Sequence, residues 1–325
     1  MKKRKIGIFL IIVICSLGSV SCRKEEDTII SLQEFPKRYE RATDSIDINT
    51  EIVIDESADE ILYDNKALRI DIREDQLVED LMSENTQQNE VFKIDKWTYG
   101  DNKGQTLSIN DDSIAFVSGS DNYKVIQKNL QEQSINNPDP IKKTQKDENT
   151  EAAQERIELE NQLSSWGLED FKLYEELNLN KSDVIGSVWC GYERYQGLFV
   201  FSNKYYNDLS GESAPLQIIK SEDIIEKMQL LYGYEFIKGK EKIQLKTFDE
   251  IADSLEKEYS MVISDNQHEA VKAELAFLVN DVHDKEELDM EPVWIITIHE
   301  YQKDNKADFR EYQEIYSAIT ARNVG

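Results

Sequence analysis

Residues 247–259 read TFDEIADSLEKEY. Thr247 and Glu250 have the spacing of a capping box. The threonine hydroxyl can accept from the Glu250 amide while the Glu250 carboxylate reaches back to the Thr247 amide. Phe248, Ile251, Ala252, Leu255 and Tyr259 then recur at helical spacing and predict one apolar stripe. Downstream the period changes. Val271, Ala273, Leu275, Phe277 and Val279 alternate with polar or small residues, Trp294, Ile296 and Ile298 follow Pro292, and Phe309, Tyr312, Ile315 and Tyr316 close the chain. A helix covering a three-stranded antiparallel sheet is the expected unit over 245–325.

Upstream of this unit the strand-like runs are 170–177, 184–192, 196–201, 216–219 and 224–232. They follow a helix whose stripe is Ala152, Leu159, Leu163 and Trp166, with Gly167 placed for a left-handed C-terminal cap. Residues 131–149 are polar and hold Pro138 and Pro140, which predicts a linker. Before it, Ile46, Ile48, Thr50, Ile52 and Ile54 alternate with polar residues as a half-buried strand. Leu68, Ile70 and Ile72 repeat the pattern, and Leu77, Val78, Leu81 and Met82 sit on one face of a short helix. Phe92, Ile94, Trp97 and Tyr99 form another strand, and 107–109 with 114–116 form a hairpin. The fold class is therefore α+β. It has two modules of mainly antiparallel sheet, each with one or two covering helices: an N-terminal domain over 46–130 and a C-terminal domain over 150–325.

The start of the chain speaks to location. Lys2-Lys3-Arg4-Lys5 precedes an uncharged stretch from 6 to 21, which ends Ser19-Val20-Ser21-Cys22. A basic n-region, an apolar h-region and small residues before a cleavage point make a signal peptide over 1–21. The motif resembles a bacterial lipobox, so Cys22 is the expected lipidated first residue, with Ser19 where Leu is usual. Ordinary cleavage and an uncleaved anchor are the alternatives, although residues 6–21 fall short of the ~20 that a spanning helix needs. Each reading places the chain on the outer, extracytoplasmic face of a cell membrane. Residues 22–45 are polar and read as a tether. Loss of Cys15 with the leader and lipidation of Cys22 leave Cys190, which follows Val188-Trp189 and is expected to be buried.

The formal charge is −27, and removing the basic leader makes it more negative still. Such acidity disfavours nucleic acid, anionic lipid and anionic cell-wall polymer as non-specific partners. A chain of about 300 residues usually divides into about two domains.

The search for chemistry turns up fragments. Ser254-Leu-Glu-Lys257 and Ser264-Asp265-Asn266 match two elements of serine acyl enzymes. They are too close in sequence to hold a domain between them, and Lys257 falls opposite the apolar stripe. Lys246-Thr247-Phe248 does not complete the third element. The histidines are His268, His283 and His299, and none forms a paired zinc motif. Asp111-Asp112 and the acidic run 283–291 lack the glycine and spacing of a calcium loop, and Asp101-Asn102-Lys103-Gly104 is a turn signal. No catalytic, cofactor-binding or metal-binding residue is assigned, and Cys22 stands as the one modification site.

Pro292-Val293-Trp294-Ile295-Ile296 together with Tyr316-Ser317-Ala318-Ile319-Thr320 resembles the C-terminal module of Gram-positive surface lipoproteins of PepSY-like or two-component-regulator-like type. In those a P-x-W strand pairs with a final strand ending N-A-x-T-G. Here Ser317 stands for the Asn and Ala321 for the Gly. The resemblance covers about 245–325 and implies a non-catalytic binding or regulatory domain. The expected function is a membrane-anchored lipoprotein that binds another envelope protein or peptide. The alternative is an envelope hydrolase whose site is assembled from residues distant in sequence. A solute-binding lipoprotein would need parallel βαβ lobes, which the hairpin-like strands do not suggest. Partner and oligomeric state stay open.

Overall fold

The computed structural model describes residues 29–83, 92–94, 97–110, 113–136, 150–181, 184–203, 214–282, 285–303 and 305–325. The leader, Cys22, Asp111-Asp112, His283 and 137–149 of the expected linker lie outside them.

In chain order the N-terminal part holds β1 (Arg38–Ala42), β2 (Asp47–Val53), β3 (Lys66–Arg69), α1 (Glu74–Val78) with a wider turn to Ser83, β4 (Phe92–Lys93), β5 (Thr98–Gly100), β6 (Thr106–Ile109), β7 (Ile114–Val117) and α2 (Asp121–Asn136). Then come α3 (Thr150–Ser165), β8 (Phe171–Lys181), β9 (Val184–Tyr195), β10 (Leu198–Ser202), β11 (Leu216–Ser221), β12 (Ile224–Leu230) and β13 (Tyr234–Ile237). The chain finishes with α4 (Phe248–Tyr259), β14 (Asn266–Asn280), β15 (Glu287–Gln302) and β16 (Asn305–Ser317). Strand pairing is antiparallel except where β14 takes β2 and β10 as parallel neighbours. The α+β class holds.

Two large cores and two smaller apolar clusters form among the described residues, and the chain threads the large ones alternately. In the first, α4 lays Phe248, Ile251, Ala252, Leu255 and Tyr259 against β14, β15 and β2, with Trp294 and Ile296 beneath it. In the second, Leu77, Leu159, Leu163 and Trp166 from α1 and α3 pack on β6, β7, β9, β11 and β12. A division at 131–149 does not separate these cores. β2 belongs to the sheet of β14, while β7 pairs with β12 from the other side of the expected linker. Local periodicity cannot encode such pairings, because each half reads as a half-buried strand whatever its partner.

The expected tether also folds from Ser31 onward. Leu32 is buried, the Phe35 ring lies 5.3 Å from Trp294, and Tyr39 in β1 lies 5.1 Å from Phe248. Three sparse aromatic and aliphatic anchors hold a polar segment that has no period of its own. Residues 131–136 of the expected linker are helical, at the end of α2. Among the described side chains of that helix, Ile126 is buried and rests on Val188 and Ile219, with Tyr123 packed against them.

Other features match expectation. Residues 163–168 close α3 with paired hydrogen bonds, Gly167 N–H to Ser164 (3.2 Å) and Leu168 N–H to Leu163 (2.9 Å). Gly167 has φ +92°, the left-handed geometry that this cap requires. The capping box of Thr247 and Glu250 is fully formed. Two alternations are displaced. In β3 the buried residue is Ala67, with Leu68 on the other face. In β14 a bulge at Val271 brings Ala270 into the core in its place. The strand expected through Phe92, Ile94, Trp97 and Tyr99 is instead two, β4 and β5, which pair antiparallel with each other, and Ile94 and Trp97 between them are exposed.

Candidate functional site

The sequence motifs resolve into structural roles. Lys257 is exposed and Ser254 half-buried on the flank of α4. Ser264 Oγ accepts the Asn266 amide in a turn. Asp101 accepts the amides of Lys103 and Gln105, each at 2.8 Å, which makes the expected turn. Of the acidic run, Asp289 pairs with Lys66 and Glu291 accepts from Ser317. His299 is half-buried, stacked on Phe309, with Nε2 2.8 Å from Glu311. Cys190 is buried, as expected. Among the described residues no group of three His, Cys, Asp or Glu side chains converges as a metal site.

Buried ionisable groups that the sequence did not single out serve the second core. Glu226 accepts from Ser118, Ser120 (2.6 Å) and Ser221, while Ser120 Oγ accepts the Tyr123 amide (3.0 Å) at the start of α2. This carboxylate pins α2 to the sheet. Lys220 pairs with Glu155 (3.1 Å), which also receives Ser187 (3.1 Å). Glu193, at the joint where β9 passes from one core to the other, is fully buried. Its Oε1 accepts the Tyr234 amide (2.6 Å) and Oε2 has no partner. Burial drives its carboxyl well above the usual range, outweighing the Tyr234 hydrogen bond.

The densest set of perturbed groups lies where α4 ends. Tyr259 donates to Glu314 (2.7 Å) and shares a hydrogen bond with Tyr312 (2.7 Å). The Tyr316 hydroxyl lies 2.7 Å from Glu258 and 3.1 Å from Glu314, and Asn323 donates to Glu258 (3.1 Å). Burial raises all three tyrosines and Glu314 above their ordinary values. His268, whose ring centroid is 4.9 Å from that of Tyr259, is lowered by burial, with Glu300 opposing. The network lies between helix and strand and fixes the last turn of α4 in place.

That fixed turn carries an unusual surface. Met261, Val262 and Ile263 are 70%, 47% and 103% exposed, three successive aliphatic side chains in water. Met261 N–H bonds to Glu258 O (3.0 Å) and Val262 N–H to Tyr259 O (3.1 Å), a turn that follows the C-cap Ser260. The β1–β2 turn reaches the same end, where Ser45 Oγ donates to Glu256 O (3.2 Å). The β15–β16 hairpin closes beside it, since Asn266 pairs with Gln302. Three connections thus meet at one end of the sheet, the usual location for binding residues held by a scaffold. The sequence shows this apolar triplet only as the connection between helix and strand.

No family model matches the chain, and no curated protein matches it. Among solved structures it is similar to an uncharacterized protein from Eubacterium rectale ATCC 33656, with a TM-score of 0.56 and 14% sequence identity, covering 92% of this chain and 96% of that one. The likeness is one of fold.

Proposed function

We propose that this protein is a lipoprotein anchored through Cys22 at the outer face of the cell membrane, where it acts as a non-catalytic binding or regulatory module for another envelope protein or peptide. The anchor rests on the basic, apolar and small-residue succession that ends at Cys22. The binding role rests above all on the exposed Met261-Val262-Ile263 turn that follows α4. Burying aliphatic surface of that kind on a partner is favourable, and leaving it in water is not. The likeness to PepSY-like modules finds support in two details. Ser317 Oγ accepts the amides of Ile319 (3.3 Å) and Thr320 (3.2 Å), a role that Asn also fills, and Ala321 holds φ +55° where the family has Gly.

Affinity capture from solubilised membranes, with the intact chain beside a Cys22→Ala form, tests the reading. The intact chain should fractionate with membrane and retain one specific partner. The Cys22→Ala form should lose the membrane fraction and keep the partner. Recovery of no specific partner by either form, or unchanged membrane association of Cys22→Ala, would sink it.

A further inference from the structure

We infer that the segment 31–42 is a removable strap over a peptide-binding groove, and that a partner protein enters by laying in its place an extended segment with a basic residue two positions after an aromatic one. The choice of a protein segment as occupant rests on the binding reading above, whereas the strap and the groove do not. The structure shows the groove filled. β1 adds to the edge of β2 away from β14 and at the same time lies along α4. Tyr39 and Arg41 face the helix together, spaced by two as a strand requires. Tyr39 sets its ring 5.1 Å from Phe248 and donates to Asp249 (2.6 Å), and Arg41 bonds to Asp253 (2.6 Å) and Glu256 (2.7 Å). Upstream, Phe35 packs on Trp294, which also meets the Phe248 ring at 5.5 Å. The groove therefore has an aromatic floor, an acidic wall along one flank of α4, and a row of backbone groups on β2.

What fills the groove is weakly held. Between Leu32 and Ile46 no residue of the segment is buried. Its ion pairs stand partly in water, where such pairs contribute little. Trp294 Nε1–H is buried with no acceptor, so the floor keeps a polar group that the strap does not satisfy. A strand with few buried apolar contacts belongs to the low-stability end of a fold and opens without the rest. Its removal uncovers the β2 edge, Phe248 and Trp294 together, while β2 keeps its parallel pairing with β14. An open strand edge recruits an extended chain, with main-chain hydrogen bonds for affinity and alternate side chains for specificity. Asp249, Asp253 and Glu256 select the side chains, and the strap itself displays the pattern that satisfies them.

The test uses a fluorescein-labelled peptide of residues 31–42 and its fluorescence anisotropy with the full chain in detergent. Arg41→Ala loosens the strap and leaves the acidic wall intact, and Phe35→Ala loosens its other end. Each variant should bind the peptide at least ~10-fold more tightly than the parent, because apparent affinity rises with the fraction of open groove. Adding Asp253→Lys and Glu256→Lys to Arg41→Ala should abolish that gain. In the parent, the hydrogen-bonded amides of β1 should exchange with solvent at least ~10-fold faster than those of β14. No binding by either loosened variant, equal binding by parent and variants, a gain that survives the reversed wall, or exchange of β1 only together with β14 would each overturn the inference. So would a dimer of Arg41→Ala on size exclusion, since the strap of a second copy would then be the occupant. A partner retained by affinity capture that the peptide does not release would leave the binding reading standing and end the groove's claim to it. A peptide that binds as expected where capture finds no partner would end the binding reading and leave the strap standing.

Discussion

Leu255→Ala should be among the more damaging single truncations in the first core, and the structure indicates why its cost lies high in the known range. The side chain is completely buried between α4 and the sheet. Deleting such a leucine costs ~2–5 kcal/mol, and the value depends on how far the surroundings collapse into the cavity. Here α4 cannot sink. Its start is fastened by the capping box and by the Lys246 amide bonded to Ala318 O (2.7 Å). Its flank is tied to β1 through Tyr39 and Arg41, and its end to β16 through Tyr259 and Tyr316. A helix held at both ends leaves its cavity open, so the expected cost is about 4 kcal/mol. Ser254→Ala, one position away on the half-buried flank, should cost less than ~0.5 kcal/mol. Urea denaturation followed by far-UV circular dichroism gives both values, with the slope unchanged in each variant. A cost below ~1.5 kcal/mol for Leu255→Ala would refute the clamped-helix argument. Equal costs for the two variants would mean that the stripe is placed on the wrong face.

Two further outcomes follow from particular backbones and burials. The ordinary Glu193 value is 4.5 and burial raises it, so above pH 4.5 the folded chain holds a proton that the unfolded chain has released. That group's contribution to stability therefore falls as pH rises toward its folded value. Glu193→Gln keeps the acceptor for Tyr234 and removes this slope. Its gain over the parent in urea midpoint should be larger at pH 8 than at pH 5, and parallel profiles would contradict the assignment. Gly197→Ala should destabilise by at least ~2 kcal/mol. Gly197 has φ +79° in the tight β9–β10 turn, and an added Cβ would lie 2.4 Å from the Ser57 backbone. A midpoint shift of under half that size would show that the turn can relax.

How much of this could be read in the sequence depended on the range over which each feature is encoded. The capping box, the α4 stripe and the Gly167 cap are written within a few residues of themselves, and each appears where the pattern places it. The β1 segment and α2 lack that redundancy. Arg38–Ala42 alternates only weakly, and α2 holds on through Ile126 and Tyr123. The β2–β14 pairing has no local signature at all. Thr50 donates to the Ala270 carbonyl across 220 positions of chain. Met261-Val262-Ile263 stood in plain view as three aliphatic residues, but their exposure follows from what packs on that connection, which only the structure shows. The glutamate held by three serines is equally silent, because Ser118, Ser120 and Ser221 become neighbours only once β7 lies on β12.

The alternation of the chain between two cores also sets an order of assembly. Every strand of the second core, up to β12, has been synthesised before residue 231, and its partners are all at hand. The first core has no such freedom. β1 can pair with β2 at once, but β2 must wait for β14, and β3 for β13 and β15, the last of which ends at Gln302. Long-range and parallel pairings of this kind are slow, because closing the intervening loop precedes any gain from contact. A ribosome or export channel therefore releases a chain whose middle can fold while both ends remain unmated. β2 and β3 are recruited by β14 and β15, strands that emerge long after them.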